Sequence, residues 1–348
     1  MHQRAETPYP RPATAAPLAG WLLLTAAMVA VMVALGGLTR LTGSGLSMVE
    51  WNPHHLLPPL TRAEWEQAFA LYRQSPEYRL VNAGMDLSGF QGIFWLEYIH
   101  RLWGRLIGLV FALPLALFVA RRMVPRPLAL RLAAILALGA LQGVAGWFMV
   151  ASGLSENPQV SHFRLAVHLV LAVIILALLL WMALDLTAPP PPAARDAAAA
   201  RRLIGALMAL ALAVITWGAF VAGLHAGRLH NTFPLMDGYL FPPGGLALRP
   251  LWLNALENPS AVQYVHRVLA LTLVAAATLA AGWAACARLP AATRRRMALA
   301  ALAAWAQAGL GIATLLTAVP IGLAALHQMG AVGLFALLVW ARHSVRSG

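Results

Sequence analysis

The chain has 348 residues, of which 60% are apolar and only 11% charged, and its mean hydropathy is +0.71. A water-soluble domain carries about a quarter charged residues, so this composition excludes a soluble globular protein. The net charge of +13 rests on arginine without a single lysine, and its uneven placement speaks for membrane topology rather than for nucleic-acid binding.

In chain order, residues 1–17 form a polar, proline-containing tail. Eight runs of about twenty apolar residues follow, each long enough to cross a hydrocarbon core, at roughly 18–39, 98–120, 129–151, 163–186, 203–224, 262–286, 297–318 and 321–341. The first is longer than the roughly 7–15 residues of a signal-peptide core and reads as a retained helix. The segment 40–97 is the longest loop. In it Thr61-x-x-Glu64 has the form of a helix-capping box, and Trp65, Phe69 and Tyr72 follow on one helical face. That face fits either an amphipathic helix at the membrane interface or a loop helix packed on its own loop. Residues 187–202, with Pro189 to Pro192, read as a linker, and 342–348 as a tail. The lone cysteine, Cys286, forms no intramolecular disulfide and reads as a small buried residue. Gly139-x-x-x-Gly143 has the spacing that packs helices, within a half or between protomers of a homo-oligomer.

Arginine sets the orientation. The two tails, the 121–131 and 288–296 turns and the 187–202 linker carry fifteen arginines against Glu6, Asp185 and Asp196, while the opposite side carries ten arginines and nine acids. The positive-inside rule then makes both termini cytoplasmic, in a cell inner membrane.

The chain repeats itself. Tyr98-Ile99-His100-Arg101 opens the second span and Tyr264-Val265-His266-Arg267 the sixth. Gln142-Gly143 is echoed by Gln307-Ala308-Gly309, and Leu165-Ala166-Val167-His168 by Ala324-Ala325-Leu326-His327. Four spans per half is an even number, so both halves share one orientation. The expected fold class is an all-α integral membrane protein of eight transmembrane helices, arranged as two pseudo-twofold-related four-helix bundles: 18–186 with the long outer loop, and 203–341.

His100, His168, His266 and His327 all fall near the outer starts of their spans. A single intramembrane histidine is readily a helix–helix hydrogen-bond partner, but four at repeat-related positions point to two sites. Two imidazoles from facing helices of a bundle can ligate one haem iron, whereas zinc wants three or four protein ligands and no acid or thiol joins either pair. Arg101, Arg105, Arg164, Arg228 and Arg267 lie at the depth where haem propionates need cations, and each also suits interfacial anchoring. Glu97 precedes His100 by one turn where the second half has Gln263. It reads either as an acid–base group beside the first site or as a carboxylate favouring a helix N-terminus. His54, His55, His225 and His230 fall in loops, His162 at an interface, and His2 and His343 at the termini.

At these residues the chain resembles the haem A synthase family, in its cysteine-free branch. The resemblance is carried by Gly36-Gly37-Leu38-Thr39-Arg40-Leu41-Thr42-Gly43-Ser44-Gly45-Leu46-Ser47, Glu97-Tyr98-Ile99-His100-Arg101 and Tyr264-Val265-His266-Arg267, and extends over about 18–341. It implies oxidation of a methyl group of haem O to the formyl group of haem A, for cytochrome oxidase. It further implies haem O between His100 and His168, haem b between His266 and His327, and Glu97 as the essential carboxylate. Implied partners are haem O synthase, cytochrome oxidase assembly factors, an electron acceptor or donor, and the lipid bilayer. The first outer loop lacks the cysteine pair of some members, so no redox role for such a pair applies. The rival readings are a dihaem b-type cytochrome exchanging electrons with quinone, and a haem-carrying assembly protein without chemistry.

Overall fold

The structure is a computed structural model, and it describes residues 12–50, 57–154, 158–188 and 192–346. Eight helices are long and apolar enough to cross a membrane: α1 (Pro12–Leu41), α4 (Leu87–Ala120), α5 (Arg126–Ala151), α6 (His162–Thr187), α7 (Ala197–Gly223), α9 (Pro259–Cys286), α10 (Ala291–Leu316) and α11 (Ile321–His343). Two short helices, α2 (Arg62–Tyr72) and α3 (Pro76–Leu80), lie in the first outer loop, and α8 (Asn254–Glu257) precedes α9. The described residues contain no strand, as an apolar solvent demands of a chain that must satisfy its backbone groups within each segment.

Helices α1, α4, α5 and α6 contact one another in a closed ring, and α7, α9, α10 and α11 form a second. The rings meet where α6 packs on α7 and α11, and α1 on α11. One apolar cluster runs through both, from Leu22 and Leu179 on one side to Ile204 and Leu338 on the other. Polar clasps reinforce the seam. Arg40 Nη2, at the end of α1, donates to the terminal α7 carbonyls of Ala222 (2.9 Å) and Gly223 (3.2 Å) and lies 2.9 Å from His225 Nε2. A cation on a helix C-terminus is favourably placed. Gln328 Nε2 on α11 donates to Val33 O on α1 (2.8 Å), and His162 Nε2 donates to Leu256 O (2.9 Å).

Several expectations need correction. The second span begins at Leu87, not near 98, because Asp86 caps it by accepting from Gly89 N (2.8 Å). Its added turns carry Phe90, Phe94 and Tyr98, which are covered from outside rather than by lipid. The cover is α2. Its capping box forms as expected, and Trp65 and Tyr72 are buried, with ring centroids 4.9 Å from Phe94 and 5.1 Å from Phe90. The helix buries this face against the outer extension of α4. The linker is shorter than 187–202, since α7 starts at Ala197. Cys286 is exposed, being the last residue of α9. Gly139 and Gly143 have open space where a side chain would stand, so this spacing packs no helix within the half. His343 is not a loose terminal residue. It is 1% exposed, its Nε2 lies 2.8 Å from Asp185 Oδ1, and Arg346 closes the same cluster. His54 and His55 lie outside the described residues.

Candidate haem-binding sites

The four histidines stand on alternate helices of their rings: His100 on α4 and His168 on α6, His266 on α9 and His327 on α11. Within a four-membered ring, alternate helices occupy opposite corners, so each pair faces across the middle of its bundle. His168, His266 and His327 fall within about two turns of their helix starts. His100 lies thirteen residues beyond Leu87, because α4 projects further out than its counterparts.

Each ring rests on a glycine of the preceding helix. A Cβ built on Gly36 of α1 would stand 3.2 Å from His100 Nε2, and one on Gly218 of α7 3.2 Å from His266 Cε1. A Cβ on Gly146 of α5 would stand 2.9 Å from His168 Cε1, and one on Gly311 of α10 2.7 Å from His327 Cε1. The last two approaches are closer than real Cβ contacts, so only glycine leaves these rings their places. Sequence comparison singles out Gly143 and Gly309 instead. The functional glycines lie three and two residues further on, one turn after Gln142 and Gln307.

Those glutamines also touch the histidines. Gln142 Nε2 donates to His168 O (2.9 Å) and lies 3.5 Å from His168 Nε2. Gln307 Nε2 donates to His327 O (2.7 Å) and lies 3.0 Å from His327 Nδ1. Each half thus repeats a Gln-x-x-x-Gly cradle for the histidine of its fourth span.

The residues fit a bis-histidine metal site. The imidazole centroids of His266 and His327 are 6.5 Å apart with planes at 86°. Two ring nitrogens each about 2 Å from one metal atom put the ring centres about 6 Å apart. His168 Nδ1 and His266 Nδ1 are buried without a hydrogen-bond partner, the condition of ligands awaiting an acceptor or a metal. No group of three or more His, Cys, Asp or Glu residues suited to a metal ion occurs among the described residues, so a conventional zinc site is absent there.

Glu97 is 2% exposed and fully engaged. Its Oε2 accepts from Ser47 Oγ (2.6 Å) and Met48 N (2.8 Å), and its Oε1 accepts from Arg101 Nε (3.0 Å) and Nη2. Arg101 Nη2 also donates to Met48 O (3.0 Å). In the second half Gln263 Nε2 donates to His230 O (3.2 Å), while Arg267 donates to His230 O (2.6 Å) and Thr232 O (2.8 Å). Glu97 and Arg101 are therefore one ion pair that clamps the loop after α1. Arg101 also borders a small cleft lined by Met48, Val49, Trp147, Val150, Ala151 and Leu154.

The other arginines differ in availability. Arg164 donates to Phe148 O (2.7 Å) and lies over the Phe148 ring, 3.6 Å from its centroid. Arg228 is exposed in a short 3-10 turn, and Arg105 is half-buried one turn beyond Arg101. His230 is not loose loop polarity: its Nδ1 lies 2.6 Å from Asp237 Oδ2 and its Nε2 3.0 Å from Ser260 Oγ. That contact holds the Asp237 carboxyl below its usual range. His225, beside Arg40 and Arg228, is pushed down by burial first and by those cations second. A second buried carboxyl sits in the outer loop. Glu77, 6% exposed, accepts from the Tyr72 hydroxyl (3.0 Å), which accepts from Asn82 Nδ2 (2.7 Å). Burial pushes Glu77 up to about 7, and the charge of Glu97 adds to the effect.

Residues 19–339 match the family described as cytochrome oxidase assembly protein (COX15-CtaA). The chain is 51% identical over 342 residues to the haem A synthase of Rhodospirillum centenum, an alignment covering 97% of this chain and 91% of that protein. It is 48% identical to the haem A synthase of Paramagnetospirillum magneticum (94% and 93% covered) and 46% identical to that of Nitrosomonas eutropha (93% and 92%).

Proposed function

This chain belongs to the cytochrome oxidase assembly protein family, and from that premise we infer that it is an oxidoreductase that converts the methyl group of haem O into the formyl group of haem A. The observation that carries the reading is the pair of repeat-related histidine sites, equal in architecture and unequal in their neighbouring charge.

Haem O is the substrate of the first half, 18–186, between His100 and His168. His266 and His327 of the second half, 203–341, hold haem b. When bound, that second haem supplies a one-electron carrier for the electrons leaving the substrate. The protein's own residues do the rest. The glycines on α1, α5, α7 and α10 leave room for the imidazoles. Glu97 stands one turn from His100 with its charge offset by Arg101, and its proposed part is to take up a proton or balance charge as a substrate carbon is oxidised. Its bonds to Ser47, Met48 and Arg101 hold the loop after α1 at the outer mouth of the site. Arg105 and Arg228, which have no ion pair among the described residues, are the cations proposed to take propionates.

Haem O synthase supplies the substrate, cytochrome oxidase assembly consumes the product, and an outside acceptor takes the electrons. The chain would sit in a bacterial inner membrane, and the arginine asymmetry supports an orientation with both termini cytoplasmic.

The test is expression in a host that makes haem O but no haem A, followed by extraction and chromatographic identification of the haems. Haem A should appear with the unaltered chain and vanish with His100→Ala or His168→Ala. Two haem b groups per chain, with neither haem O nor haem A, would overturn the reading in favour of an electron-transfer cytochrome.

A further inference from the structure

We propose that Gln142 and Gln307 are positioning residues that set the rotation of the iron-ligating histidines of α6 and α11 and accept their second ring proton. The proposal rests on the haem-binding reading above and goes beyond it.

Three observations carry it, each made twice. Both glutamines reach across from the neighbouring helix to the backbone carbonyl of the histidine itself, which ties that helix turn to its partner. Both place the same amide against a ring nitrogen, at 3.5 Å for His168 and 3.0 Å for His327. Both leave their carbonyl oxygen Oε1 buried without a partner. A buried amide oxygen without a donor costs about 1–3 kcal/mol, and the same acceptor is left over at two repeat-related positions.

Metal ligation supplies a donor for it. A neutral imidazole carries one proton, on one ring nitrogen or the other. In this geometry the amide N–H faces the ring, so the facing nitrogen is the acceptor and the proton sits on the far one. A metal on the far nitrogen needs its lone pair and moves the proton to the nitrogen facing the glutamine. That N–H requires an acceptor, as metal-bound imidazoles generally do. Rotation of the amide presents Oε1 to that N–H, exchanging the amide's bond to the histidine carbonyl for the partner Oε1 lacks. For His168 the far nitrogen is Nδ1, which is itself unpartnered. Gly146 and Gly311, one turn further along, press on Cε1 of each ring, between its two nitrogens, and limit its other rotations. Such outer contacts usually carry about 10- to 100-fold in metal affinity.

The test uses the full-length protein purified with its haems, and reads haem content, low-temperature electron paramagnetic resonance and midpoint potential. The variants are Gln307→Leu, Gln307→Glu, Gln142→Leu and Gln142→Glu. An acceptor on the ring N–H makes the imidazole more electron-donating and stabilises ferric iron. Leucine removes the acceptor, so the potential of the affected haem should rise. Glutamate strengthens it, so the potential should fall. The Gln307 variants should move only the second-half haem and the Gln142 variants only the first. If leucine and glutamate move the potential in the same direction, or neither moves it, the glutamines are packing residues and the proposal is wrong. If the unaltered protein carries no haem, the haem reading itself fails instead.

Discussion

Replacing Glu97 with glutamine keeps the shape of the side chain and removes its charge. In the native arrangement the carboxylate takes four hydrogen bonds, two of them from Arg101. A glutamine oxygen can still accept from Ser47 and Met48, which turns its amide N–H groups against the guanidinium. Two charge-assisted bonds are lost, at roughly 1.5–3 kcal/mol each. The Arg101 side chain, 11% exposed, is left without its carboxylate. Breaking a buried pair from one side costs about 3–5 kcal/mol. The loss falls on the loop that Met48 anchors, so local opening there should rise by roughly 100-fold or more, at about 1.4 kcal/mol per tenfold. Hydrogen–deuterium exchange in lipid nanodiscs should show faster exchange over residues 44–49, with α5 and α10 unchanged. Exchange at Met48 within about two-fold of the unaltered protein would refute this account of the clamp, given the size of the bonds removed. Arg101→Gln separates anchorage from chemistry. It should loosen the same loop while sparing the carboxylate, so haem A formation should fall further in Glu97→Gln than in Arg101→Gln. Equal losses in the two variants would show that Glu97 acts only as an anchor.

Three other outcomes follow from the same geometry. Gly311→Ala places a methyl group 2.7 Å from His327 Cε1 and should empty the second haem site, whereas Gly309→Ala meets nothing within 4 Å and should leave haem content unchanged; haem per chain, by extraction, decides. Glu77 keeps its proton to about pH 7 in the folded loop but releases it near the ordinary 4.5 when unfolded, so folding takes up a proton and loop stability falls as pH rises between those values. Limited proteolysis of the outer loop should therefore quicken across that window in the native chain and stay flat in Glu77→Gln. His343→Ala removes a buried partner of Asp185 and should cost about 1–3 kcal/mol, shortening the half-life of thermal inactivation in detergent without changing the haem spectrum.

The membrane helices were legible because twenty apolar residues in a row have few other destinations, and the four histidines because polar groups stand out in such runs. The outer extension of α4 was not. Residues 87–97 mix Gly89, Gln91, Gly92 and Glu97 with aromatics, so no hydropathy window marks them, and their helix depends on the Asp86 cap and on cover from α2. His343 was missed because the sequence shows only a short basic end, while its partner Asp185 is 158 residues away. The Arg40 clasp on α7 spans 182 residues and leaves no local trace. The Glu97–Arg101 pair was visible as an i, i+4 spacing on a helix. It was hidden by the depth of both residues, which suggested separate roles at the site.

The difference between the halves lies in the loops that their arginines hold. After α1 the chain offers donors to position 97, the Ser47 hydroxyl and the Met48 N–H, and a carboxylate answers them. After α7 it offers the His230 carbonyl to position 263, and an amide N–H answers that. A glutamate at 263 would set its oxygens against a carbonyl, and a glutamine at 97 would set its N–H groups against an arginine. The arginines themselves do the same work in both halves, donating to Met48 O or to His230 O and Thr232 O. Loop polarity therefore selects the side chain, and a charge difference follows. Arg101 is neutralised within the first site. Among the described residues no carboxylate is bonded to Arg267, and Asp237, held by His230, acts on it at longer range. The unequal charge of positions 97 and 263 is therefore a consequence of the loops they hold.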